Sequence, residues 1–432
     1  MPQTHPTAGP PAALQRHLGL PGAIVIGVGS MVGAGVFTSL GLAASTAGPL
    51  LVLALVLAGA TAWVNATAMA QLAAVHPTSG GAYVYGRRQL GEWAGFVAGW
   101  GFVTGKSASI AAMAYTLALY LVPTASGAPD RTARWVAIAS VVVITGITLL
   151  GITRTVQATV LIVTPVLALL AVLIVAGFVG VTPGPVPAPG GGPSGADPTP
   201  LGVLQGAGLL FFAFAGYARI ATMGEEVRDP RRTIPRAVFG ALAFTLVLYL
   251  LLALSLQAVL GLQGLGQTPT AVRDAVEVVL GPDWAWLAVA GAALACLGSM
   301  LNLAAGISRT GLAMARERDL PRPLARISAR TCVPWVAQLT AAAVVIVLLL
   351  ATDVLTVVGF SSFGVLVYYA VANVSALTLT ERVVPGPRWL NLLGAAACLL
   401  LAFTLPVQSV LVMLAVFAVG LAGRAVVGLR RR

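Results

Sequence analysis

Lysine occurs once in this sequence, as Lys106, against 24 arginines, and it stands midway along an apolar stretch. A second cation, Arg219, lies in another such stretch. Charges at membrane depth cost about 2.5 to 3.5 kcal/mol on insertion scales, so each marks a functional candidate. Lysine loses its proton readily when desolvated, whereas arginine stays charged at any workable pH. Three roles stand open for Lys106: coupling a solute to protons, holding a substrate carboxylate, or donating structurally to backbone carbonyls. Arg219 reads as a substrate or gate contact, or as a side chain snorkelling toward an inner surface.

The adjacent carboxylates Glu225 and Glu226 invite an acid–base reading, but Arg228, Arg231 and Arg232 follow closely. A salt bridge at an inner gate or loop fits that setting better. His5, His17 and His76 lack metal-ligand spacing, and Cys296, Cys332 and Cys398 form no disulfide framework. No metal or nucleotide motif is present, so no cofactor is expected.

Backbone chemistry is the stronger signal. Gly27, Gly29, Gly33 and Gly35 crowd into GVGSMVGAGVF, and Gly216 stands in FFAFAGYAR. Single glycines in membrane helices usually serve close packing. A dense group echoed in a second stretch points instead to broken helices, whose half-helix N-termini attract an anion and whose unwound carbonyls attract a cation. A zwitterionic amino acid carries both charges. Interruptions are expected at about Ser30 to Gly35 and Ala215 to Ala218, facing one another.

The elements that must position these residues follow from composition. Of 432 residues, 58% are hydrophobic and 9% charged, against about 25% charged in an average soluble domain. The net charge of +12 is spread over short loops without interleaved aromatics, which argues for a lipid bilayer and against nucleic acid as partner. A bilayer needs about 20 apolar residues per helix. Twelve stretches qualify, at about 20–46, 49–74, 92–122, 134–152, 156–181, 201–224, 236–261, 284–312, 334–351, 355–379, 389–405 and 407–428. The divisions at Pro49 and Pro406 rest on a proline between apolar runs. The first stretch is too long for a signal-peptide core and is kept as a membrane helix. With the N-terminus inside, 20 of the 25 basic residues fall on the cytoplasmic side and only Arg131, Arg134 and Arg273 outside. That bias places both termini in the cytoplasm of a cell-membrane protein.

The segment 182–200 is rich in Pro and Gly and reads as an extended extracellular linker. It separates five helices (20–181) from a second five (201–380) that enter the membrane upside down, an inverted repeat. Residues 1–19 form a cytoplasmic tail, and 381–432 carry two extra helices.

Three segments, GSMVGAGVF (29–37), HPTSGGAYVYGRRQLG (76–91) and FFAFAGYARIATMGEEVRDPRRTIPRA (211–237), resemble the signature segments of the amino acid, polyamine and organocation transporter superfamily. SRTGLAMARERDLP (308–321) is similar to that family too. The resemblance implies an all-α integral membrane fold of the leucine-transporter type, with broken helices one and six. It implies that Gly33, Ala34 and Gly35 offer N–H groups to the substrate carboxylate. Met31, Phe212 and Ala215 would accept from its amine, and Phe212, Tyr217 and Ala218 would border its side chain. These contacts are mostly backbone, so a bulky residue at Gly33 or Gly35 is expected to abolish binding with the fold intact. Some proton-coupled members carry a lysine in helix five, whereas residues 157–181 here contain no ionisable group.

An enzyme would need convergent acid, histidine or cysteine groups at depth, and a channel would need charged rings or a carbonyl filter repeated by symmetry. The expectation is a secondary transporter of amino acids by alternating access, proton-coupled or exchanging; the alternative is a carrier of a related organic anion or amine. The spans carry no Asp or Glu at depth, which favours a neutral or anionic amino acid, neutral first. Tyr83 and Tyr85 are expected as aromatics at the membrane interface.

Overall fold

The computed structural model describes residues 18–76, 80–122, 131–151, 156–180, 199–221, 223, 227–331, 333–384 and 386–429. Among them the architecture is all helical, with one isolated bridge, parallel, between Leu18 and Val227. There the Arg228 N–H donates to the Leu18 carbonyl at 2.9 Å. The segment expected as an extracellular linker lies almost wholly outside the described residues, as do the N-terminal tail, Cys332, Glu225 and Glu226.

The first expected span is two helices, α1 (Leu20–Met31) and α2 (Leu40–Ala47), with a π-helical turn over Gly35–Ser39 between them. A 3-10 turn at Gly48–Leu50 passes the chain through Pro49 into α3 (Leu51–Val75). Then follow α4 (Ala82–Leu90), α5 (Glu92–Leu121), α6 (Arg131–Leu149) and α7 (Val156–Val179). The second interrupted stretch is α8 (Pro200–Phe214), a 3-10 turn over Ala215–Tyr217, and the short α9 (Ala218–Ala221). The chain continues through α10 (Pro230–Gln267), which bends at Gly261, and α11 (Ala271–Leu280) to α12 (Ala285–Arg316). It ends with α13 (Trp335–Ala351), α14 (Val354–Leu377), α15 (Trp389–Thr404) and α16 (Val407–Leu429).

Local rules account for several boundaries. Thr199 Oγ1 accepts from the Gly202 N–H at 3.0 Å and Pro200 opens the helix, so α8 starts on an N-cap with proline in its first turn. Asp353 Oδ1 caps α14 through the Thr356 N–H at 2.9 Å. Leu405 is extended, with ψ 163°, because Pro406 disfavours helical backbone before it.

Eight helical stretches are long and apolar enough to cross a membrane, and α1, α13 and α15 are shorter apolar helices. Their outer faces keep large apolar side chains in the open: Leu161 is 76% exposed and Val179 77%. Exposed apolar surface on this scale belongs against lipid. The chain is a multi-pass membrane protein.

The centre is α5, whose side chains are buried along most of its length from Gly95 to Tyr120. It meets α14 at backbone contact: a methyl added at Gly101 would lie 2.8 Å from the Gly364 carbonyl, and one added at Gly364 would lie 2.6 Å from the Gly101 carbonyl. Gly101 and Gly105 form a small-xxx-small pair that permits this approach.

Tyr83 and Tyr85 correct the sequence reading. They stand on α4, wedged beside α5 and α14, and both are buried. Their hydroxyls find partners inside the protein: Tyr83 donates to Asp319 Oδ2 at 2.8 Å and Tyr85 to the Ala221 carbonyl at 3.3 Å. Tyrosine tolerates burial when its hydroxyl is bonded, and nothing in the sequence announced those distant acceptors.

Candidate functional site

The two interruptions cross in direct contact. A side chain at Gly216 would strike the Ser30 carbonyl and the Met31 nitrogen, and one at Gly35 would meet Ala213 Cα at 2.5 Å. Backbone lies against backbone here, so bulk at Gly35 disturbs the crossing itself. The expectation that such a change leaves the fold intact is revised accordingly. At Gly33 the obstacle is the Ser299 hydroxyl on α12, 2.6 Å from an added methyl.

In the first interruption, α1 ends at Met31 and Val32 leaves helical geometry with ψ 84°. The Met31 carbonyl accepts from the Gly33 N–H at 2.9 Å and from the Tyr249 hydroxyl at 2.8 Å. Tyr249, on α10, also reaches the Ala213 carbonyl at 3.4 Å, so one phenol serves both interrupted stretches. The Gly29 carbonyl accepts from Ser299 Oγ at 3.3 Å. Of the three N–H groups expected to meet a carboxylate, that of Gly33 is thus already bonded. Ala34 and Gly35 open the next helical segment, where N–H groups have no partner within the helix.

The second interruption keeps helical angles but tightens to 3-10 over Ala215–Tyr217. Tightening displaces carbonyls from the α pattern. The Ala215 carbonyl accepts from Lys106 Nζ at 3.1 Å and from the Tyr369 hydroxyl at 3.4 Å. Lys106 is 4% exposed, and no carboxylate among the described residues lies within ion-pair distance of it. A lysine ammonium has three donors, so further donors remain for a solute or water.

A small cavity, about 30 Å³, opens beside this bond. From the residues anticipated by sequence it collects Lys106, Ala215, Ala218 and Arg219. Met31, Gly33, Ala34 and Gly35 lie outside its lining, buried at the crossing, as do Phe212 and Tyr217. Tyr217 is stacked on Tyr369 with ring centroids 5.1 Å apart. Phe102, Asn302, Arg309 and Thr310 line the cavity without having been anticipated. Arg309, one of the basic residues counted on the cytoplasmic side, stands on α12 at the cavity wall. Asn302 in the apolar run SMLNLAAG was the legible signal. Tyr249 and Tyr369 gave none.

The family described as Amino acid permease matches residues 18–423. The chain belongs to the amino acid permease family. An uncharacterized transporter of Mycobacterium tuberculosis is 48% identical to this permease over 426 residues, 96% of this chain and 92% of that protein. The cationic amino acid transporter 6, chloroplastic, of Arabidopsis thaliana is 31% identical over 386 residues, 84% of this chain and 65% of the plant protein. The cationic amino acid transporter 2, vacuolar, of the same plant is 30% identical, covering 86% of this chain and 60% of that protein. The permease is a transporter and not an enzyme.

Proposed function

We propose that the permease moves amino acids across a cell membrane by alternating access, as a secondary active transporter. Its twelve passes would form an inverted pair of five-helix repeats, 20–181 and 201–380, with two further helices in 381–432 and both termini cytoplasmic. The observation that carries the reading is the pair of helix interruptions in contact at Gly216, Ser30 and Met31, with a buried lysine on a carbonyl freed by the second. Backbone groups at the first interruption hold the carboxylate through Ala34 and Gly35. Carbonyls of the second accept from the amine, that of Ala215 once Lys106 has given it up.

Lys106 couples this site to protons. Charged, it donates strongly to the Ala215 carbonyl and fixes the second interruption; neutral, it holds that carbonyl more weakly and favours the other access state. A differential interaction of this kind is what a ligand-driven switch requires. Arg219 borders the same cavity and serves in this reading as a substrate or gate contact.

The substrate in this reading is a neutral or anionic amino acid, neutral first. Lys106 lines the cavity, and placing a further cation beside it costs Coulomb energy. A second reading, a cationic amino acid, is favoured by the names of the Arabidopsis relatives. Uptake into proteoliposomes separates the two. Saturable uptake of alanine-like substrates, competed by neutral amino acids and driven by an inward pH gradient, supports the first reading. Saturable arginine uptake without response to neutral amino acids overturns it.

A further inference from the structure

A second cavity, about 480 Å³, lies away from the interrupted helices, between the start of α5, the segment after α12 and the end of α16. Its floor is aromatic. Trp100 is held in place by its Nε1–H bond to the Val416 carbonyl at 3.0 Å, and a methyl on Gly420 would lie 2.5 Å from the Trp100 ring. Phe96 stacks beside Trp100 with centroids 6.0 Å apart.

The inner wall is Arg424, 4.6 Å from the Trp93 ring centroid and 5.1 Å from that of Phe96. It pairs with Glu92 Oε2 and Asp319 Oδ1, both at 3.1 Å. The rim carries the exposed Arg318 and Arg322. Asp319 is the acid in the lining, and its 4% exposed side chain is engaged by Tyr83, Arg87 and Arg424. Its charge is therefore compensated toward an incoming anion. On the outside the cavity meets the apolar face of α16, where Val419 is 69% exposed.

An aromatic floor, a cationic rim and a lateral opening onto a lipid-facing helix suit one chemistry. We propose that this cavity binds the headgroup of an acidic phospholipid. The phosphate sits under Arg318 and Arg322, the glycerol lies over Trp100, and the acyl chains leave along α16. Basic pockets between membrane helices at the interface recognise anionic lipids in this way. A soluble anion would make no use of the aromatic floor or of the opening toward lipid.

Native mass spectrometry of the detergent-purified permease tests the proposal, with phosphatidylglycerol or phosphatidylcholine added in equal amounts. The wild type should retain one phosphatidylglycerol per chain and release phosphatidylcholine. The double variant Arg318→Gln/Arg322→Gln should lose retention by about thirtyfold, and Arg318→Lys/Arg322→Lys should recover most of it. Gly423→Phe provides an independent variant, since Gly423 lines the cavity and has no atom within 4 Å of an added methyl, which leaves room for a ring. It should exclude the lipid while melting at the wild-type temperature in lipid-free detergent. Equal retention by all variants, or equal retention of both lipids, overturns the proposal. So does displacement of phosphatidylglycerol by equimolar glycerol phosphate, which would mark a soluble-anion site, or retention confined to dimers.

Discussion

The two helix interruptions touch, yet they are built differently. The first leaves helical geometry at Val32, and its Met31 carbonyl is bonded to a backbone N–H and a tyrosine hydroxyl. The second stays in helical angles as a 3-10 turn, and its Ala215 carbonyl is bonded to the sole lysine of the chain. The first joint is held by uncharged partners and the second by a lysine, so the coupling proposed for Lys106 acts on the second.

The largest expected effect comes from removing the contact on which the comparison depends. Gly216→Leu drives a side chain into the Ser30 and Met31 backbone, which has nowhere to move, and overpacking of this kind costs about 3 kcal/mol or more. Loss of the monodisperse peak in fluorescence-detected gel filtration is the expected outcome. A stable, active variant would show that the two interruptions do not need contact.

Next come the two donors. Lys106→Gln removes a charge-assisted bond worth about 1.5 to 3 kcal/mol; uptake should fall by about tenfold or more, and what remains should lose its pH dependence. If Lys106→Gln keeps the wild-type pH profile, the adjustable joint is elsewhere. If substrate affinity disappears at every pH, Lys106 holds the substrate instead. Tyr249→Phe should behave oppositely: a loss of about 1 kcal/mol of stability, read as a lower melting temperature, with the pH profile of uptake unchanged. A shifted profile in Tyr249→Phe would erase the distinction between the joints.

The smallest effect lies at the far end of the second interruption. Tyr85 donates to Ala221 at the end of α9, and His76 stacks on Tyr85 with centroids 6.2 Å apart. Burial first, and Arg88 second, lower the His76 pKa below its ordinary 6.5. The folded state therefore holds fewer protons than the unfolded chain in the window just under 6.5. Stability should fall as pH drops through that window and level off beneath the lowered value. His76→Gln should flatten that part of the melting-temperature profile; an unchanged slope would assign it to another group.

The positions of the interruptions were legible because glycine density marks close backbone approach, and the apolar runs marked most helices to within a few residues. Even the turns at Pro49 and Pro406 fall where proline interrupts the pattern. Lys106 was conspicuous by its solitude. What the sequence did not carry was long-range pairing: that Tyr249 and Tyr369 would reach the freed carbonyls, that Tyr83 would meet Asp319, and that α4 would fold as a buried wedge. Such contacts depend on which helices become neighbours, and a single tyrosine in an apolar run gives no direction. The same limit applies to Gly33 and Gly35, where a side chain would meet Ser299 and Ala213, neighbours that no local pattern announces.

The glycine seam between α5 and α14 has a kinetic consequence. Lys106 rides on α5 and Tyr369 on α14, and interlocked backbone at Gly101, Gly105 and Gly364 prevents the two helices from sliding past one another. Both donors to the Ala215 carbonyl thus belong to one rigid block. In the alternating-access cycle proposed above, the Ala215 carbonyl would lose both bonds in a single event, and the relaxation following a pH jump should be one exponential, without a half-released state between the ends.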